Sequence, residues 1–82
     1  MKKVTPEEIP AEVRLDVPYI TLAGDRTLTA ENYRGIISYE SDSVKINTSC
    51  AVLLVTGEEL SLSSISEELI SVSGRIRKVE FV

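Results

Sequence analysis

The chain of 82 residues has a mass of 9.0 kDa, room for one hydrophobic core and not two. Thirteen acidic against nine basic side chains leave a net charge of −4, so the clustered cationic surface that non-specific nucleic-acid binding needs is missing. There is no His, no Trp and a single Cys, Cys50, which excludes a histidine base, a zinc cluster and an internal disulfide.

In chain order, Lys2 and Lys3 are not followed by an apolar h-region, so the start does not read as a secretory signal. Thr5-Pro6-Glu7-Glu8 has the form of a helix start, with Thr5 as N-cap and Glu8 placed to complete a capping box. Pro10 and Pro18 limit any such helix to a turn or two. The expectation for residues 1–17 is a short helix over Glu7–Val13 or a flexible arm, ahead of one β domain over residues 18–82.

From Ile20 onward a large apolar residue recurs every eighth position: Ile20, Leu28, Ile36, Val44, Val52 and Leu60. Each is followed two residues later by Leu22, Ala30, Ser38, Ile46, Leu54 and Leu62, and further pairs occur at Ile70/Val72 and Val79/Phe81. An i, i+2 pairing is the period of a strand with one buried face. The spacing predicts seven to eight short strands in an all-β sandwich or small barrel. Turns are expected at Gly24-Asp25, Ser41-Asp42-Ser43, Gly57-Glu58 and Gly74-Arg75, where Gly or short polar side chains favour reversal.

Two segments are apolar on both faces. Ile37 and Tyr39 alternate with Ile36, and Leu53 and Val55 alternate with Val52 and Leu54. The second face is covered by the N-terminal segment, by another subunit in a homo-oligomer, or by nothing. Ile37, Tyr39, Leu53 and Val55 are therefore candidate partner-contact residues.

Catalytic devices are sparse. Glu58-Glu59 and Glu67-Glu68 are sequence neighbours, which an extended chain points to opposite faces, so neither pair forms a proton-sharing dyad. Asp25, Glu40 and Asp42 are hard oxygen donors without calcium-loop spacing. Cys50 is expected to be a buried, inert thiol. Lys45 and Lys78 sit in strand-like contexts with no nucleophile motif. No catalytic, cofactor or metal residue is assigned. Arg75 and Arg77 form a basic cluster read either as an anion patch or as the charged guard of an edge strand. No apolar run approaches the roughly 18 residues that span a bilayer, and cytoplasmic residence is the expectation.

Several ordered segments carry a resemblance. Pro18-Tyr19-Ile20-Thr21-Leu22-Ala23-Gly24 is followed by Glu31-Asn32-Tyr33-Arg34-Gly35-Ile36-Ile37-Ser38-Tyr39 and Lys45-Ile46-Asn47-Thr48-Ser49. Then come Thr56-Gly57 with Leu60, Leu62 and Ile65, the pair Glu67-Glu68, and Ser73-Gly74 with Ile76, Val79 and Phe81. Together they resemble the YabP/YqfC family of sporulation proteins, closest to its YqfC branch. Tyr33 stands where that family often has histidine, Tyr19 where it often has arginine, and Cys50-Ala51 where a glycine commonly follows Thr-Ser.

The resemblance implies a small, non-enzymatic protein of endospore formation in Firmicutes, with an immunoglobulin-like β-sandwich fold. It also implies work in the mother cell through a protein partner, the membrane protein YqfD. Physically, Asn32 suits a left-handed turn position and Gly35 a bulge at the next strand. Arg34 is expected to be exposed or paired with Glu31. Tyr33 and Arg34 are candidates for either packing or partner contact, since Tyr and Arg make binding hot spots. The rival function is a small anion- or ligand-binding regulatory module acting through Arg75 and Arg77.

Overall fold

A computed structural model describes residues 16–82. The strands are β1 (Tyr19–Ala23), β2 (Thr27–Glu31), β3 (Gly35–Tyr39), β4 (Ser43–Asn47), β5 (Val52–Ile65) and β6 (Leu69–Phe81). All pair antiparallel in one sheet ordered β1-β2-β6-β5-β4-β3, and no helix occurs among the described residues. The helix expected over Glu7–Val13 lies outside them.

Six strands replace the expected seven or eight because two long strands each absorb two apolar units. β5 joins Val52/Leu54 to Leu60/Leu62, and β6 joins Ile70/Val72 to Val79/Phe81. Gly57 and Gly74 are therefore not reversals. They sit inside a long hairpin whose register slips at Thr56/Gly57, between Glu58 and Ser61, and again between Leu62 and Ser64. Both permit a backbone approach closed to other residues: a Cβ on Gly57 would lie 2.0 Å from the Arg75 carbonyl oxygen, and one on Gly74 2.5 Å from that of Glu59. The reversals expected at Gly24-Asp25 and Ser41-Asp42 do occur, between β1 and β2 and between β3 and β4.

These slips divide the sheet in two. β2 pairs with Leu69–Ser73 of β6, whereas β4 pairs with Val52–Thr56 of β5. Each outer hairpin is tied at its tip to the slipped region. Gly74 N–H donates to the Arg26 carbonyl (3.0 Å) and Ile76 N–H to that of Asp25 (2.7 Å). On the other side Gly57 N–H donates to the Asp42 carbonyl (3.0 Å) and Leu60 N–H to that of Ser41 (2.8 Å). Both halves contribute to one core. Leu28, Ala30, Ile70, Val72 and Leu60 from the first half cluster with Val44, Ile46, Leu53, Val55 and Ile76 from the second.

The slip also inverts part of the expected burial. Val44/Ile46 and Leu28/Ala30 face inward as the spacing predicts. In β5, however, Leu53 and Val55 are fully buried while Val52 and Leu54 are only half-buried. An extra residue in a strand reverses its inward parity, and Glu59 takes the left-handed conformation (φ 51°) where that happens. Past it the expected inward residue, Leu60, is buried. Leu53 and Val55 are thus core residues, which corrects their reading as partner contacts.

Candidate protein-docking site

β3 is an outer edge of the sheet, with β4 on one side and no strand on the other among the described residues. Its five residues, Gly-Ile-Ile-Ser-Tyr, carry no charge in a chain that is 27% charged. Ile36 is 38% exposed, Ile37 53% and Tyr39 48%. Three of the seven large apolar side chains that remain exposed among the described residues therefore lie on this short strand. Ile37 falls at the register break between Ile36 and Ser38. An edge bulge twists backbone groups out of line and hinders simple strand addition. What β3 offers is consequently side-chain surface: two isoleucines and a tyrosine, the last with a polar tip suited to a contact rim.

Leading into β3, the Asn32-Tyr33-Arg34 segment is held from several sides. Asn32 is left-handed (φ 60°), as its turn chemistry predicts, and its backbone N–H donates to the Glu68 carbonyl at 2.7 Å. Its side-chain amide donates to Asp16 Oδ1 at 2.9 Å and to the Val17 carbonyl at 3.0 Å. Arg34 is exposed, one of the two placements expected, and pairs with Asp16 rather than with Glu31. Asp16 is also anchored through its carbonyl, which accepts from Ser49 Oγ at 2.6 Å. The Asn32 hydrogen bond holds the Asp16 carboxyl below its ordinary pKa against an opposing desolvation, with the charge and hydrogen bond of Arg34 adding to the lowering. Tyr33 packs its ring on the core and donates its hydroxyl to the Ser66 carbonyl at 2.6 Å. Tyr33 and Arg34 thus fix the approach to β3, and their polar groups are committed internally.

Other candidate residues fare differently. Arg77 donates to Glu58 Oε1 at 3.0 Å, and Arg75 lines a shallow depression of about 260 Å³ together with Arg26, Glu58, Glu59 and Gly74. Two carboxylates beside two guanidiniums give a locally balanced surface with no excess positive charge to hold an anion. Cys50 is exposed, against the expected buried thiol. It lies in a turn where Thr48 Oγ1 accepts from the N–H groups of Cys50 (3.3 Å) and Ala51 (3.1 Å), a hydroxyl-capped turn made without glycine. No cluster of three metal-ligating side chains occurs among the described residues. Asp16 is the participant that sequence reasoning missed, because an Asp sixteen or more residues from its partners leaves no periodic signal.

Fold and surface define a small antiparallel β-sheet protein with an uncharged apolar edge. The YabP family model matches residues 16–82. Over 75 residues the chain is 29% identical to "Uncharacterized protein YqfC" of Bacillus subtilis (strain 168), covering 92% of this chain and 81% of that one. No solved structure matches it. The chain belongs to the YabP/YqfC family.

Proposed function

We propose that this protein serves endospore formation by protein–protein contact, without catalysing a reaction, and that β3 is the contact. The observation that carries the reading is the concentration of half-exposed Ile36, Ile37 and Tyr39 on one uncharged edge strand. Surfaces of that composition are used for partner recognition, because aromatic and aliphatic side chains gain most from leaving water. Family membership supports the association with sporulation. The partner proposed is the YqfD membrane protein, met at the cytoplasmic side in the mother cell. A single core shared by both halves of the slipped sheet supports an immunoglobulin-like sandwich as the working description of the scaffold.

Co-expression of the chain with that membrane protein, followed by affinity capture from detergent, tests the reading. Ile37→Asp should abolish co-purification, while Leu22→Asp, which charges an exposed apolar position on β1 at the other end of the strand order, should leave it intact. Equal recovery with both variants contradicts a role for β3. No recovery with the unmodified chain contradicts the choice of partner.

A further inference from the structure

The opposite edge of the sheet is built differently, and from it we infer that two copies of this chain pair antiparallel through β1 to form one continuous twelve-stranded sheet. The inference is independent of what docks on β3. Edge strands are ordinarily guarded by charge, internal proline or a bulge. β1, Tyr-Ile-Thr-Leu-Ala, has none of these: its five residues are uncharged and pair with β2 in unbroken register from Tyr19↔Glu31 to Ala23↔Thr27. β3, by contrast, is interrupted at Ile37. On the side away from β2, β1 has no strand among the described residues.

One register fits a second copy. Centred on Thr21, it sets Ile20 of each copy against Leu22 of the other, and Tyr19 against Ala23. Two apolar rows cross each half-sheet, Ile65–Ile70–Ala30–Ile20 and Leu62–Val72–Leu28–Leu22. The Thr21-centred pairing joins the first row of one copy to the second row of its partner and covers Leu22, otherwise 51% exposed. Centring on Ile20 instead opposes Leu22 with Pro18, which has no N–H to give. Centring on Leu22 opposes Ile20 with the turn residue Gly24.

Asp16 is tied to Asn32, Arg34 and Ser49, so the chain enters β1 from the side of the loop between β4 and β5 and not along the free edge. The dimer leaves its two β3 strands at the far ends of the joined sheet, and one assembly then presents two docking edges.

The test uses the full chain. Sedimentation from micromolar to near-millimolar concentration should show a monomer–dimer equilibrium. Thr21→Lys, which opposes two ammonium groups at the symmetry centre, should weaken it at least tenfold without lowering the melting temperature at dilutions where both chains are monomeric. In a Cys50→Ser background, Thr21→Cys should oxidise to a covalent dimer, while Ser38→Cys on β3 should not. Three results overturn the inference: a monomer at every concentration, cross-linking through Ser38 in preference to Thr21, or a monomer whose Ile20 and Leu22 amides are protected from hydrogen exchange. The last identifies the chain's own residues as the cover of β1.

Discussion

Gly57→Ala tests the close approach at the centre of the long hairpin. The added methyl carbon falls 2.0 Å from the Arg75 carbonyl oxygen, 3.0 Å from the Arg75 carbonyl carbon and 3.2 Å from Ile76 Cα. All three neighbours are backbone atoms, so no side chain can swing aside. Restoring an ordinary contact of about 3.5 Å requires β5 and β6 to part by more than an ångström. Gly57 N–H and Ile76 N–H hold the tips of the two outer hairpins, on Asp42 and Asp25. Separation therefore strains both hydrogen bonds as well as the packing of Ile76. Overpacking of about 2 kcal/mol and the equivalent of one lost hydrogen bond, about 1 kcal/mol, amount to about 3 kcal/mol. For a domain of this size the melting temperature should fall by roughly 12–24 °C.

Gly24→Ala is the matched comparison. Gly24 is left-handed (φ +58°), but its Cβ position has no atom within 4 Å. Only the conformational cost of about 1 kcal/mol applies there, with a melting shift of roughly 4–8 °C. Circular-dichroism melts and urea midpoints of both variants read the difference. If Gly57→Ala is no less stable than Gly24→Ala, the hairpin does not make the approach described.

Further expectations concern the core and the segment leading into β3. Leu53→Ala should cost about 2–5 kcal/mol, the range for a fully buried leucine, measured by urea unfolding; a cost near zero returns Leu53 to the surface. Tyr33→Phe should lose about 0.5–1.5 kcal/mol through its bond to Ser66 while leaving the far-ultraviolet spectrum of the fold in place. Asp16→Asn should be less stable than the unmodified chain at neutral pH. Because the folded pKa of Asp16 lies below its ordinary value, its stabilisation is present above the unfolded pKa and is lost as pH falls through the folded one. The two stability curves should therefore converge in acid, and a constant gap from neutral pH downward contradicts the Asn32 and Arg34 contacts.

Much of the fold was legible because period-two burial leaves a direct trace. Leu28/Ala30 and Val44/Ile46 face inward as their spacing demands, and the turns at Gly24-Asp25 and Ser41-Asp42 are where short polar residues and glycine put them. The bulges were not legible. Gly57-Glu58 and Gly74-Arg75 have turn composition, yet a glycine that admits a neighbouring strand has the same identity as one that reverses the chain. That ambiguity split β5 and β6 into four units and inverted the parity at Leu53 and Val55. Edge position was hidden for a related reason. Ile36 was expected inside on spacing alone, but burial depends on which strand lies outermost, and sheet order is a long-range property. Asn32 was readable from its turn chemistry, whereas the Arg34–Asp16 pair required the fold.

The central claim, that an apolar edge strand works as a docking surface in spore formation, is tested most directly by counting heat-resistant spores. Chains carrying Ile37→Asp or Tyr39→Ala should replace the unmodified protein at its own locus, with cellular levels and melting temperatures shown to be unchanged. Spore counts should fall at least tenfold with Ile37→Asp and by a smaller factor with Tyr39→Ala. Undiminished counts from both strains contradict the claim.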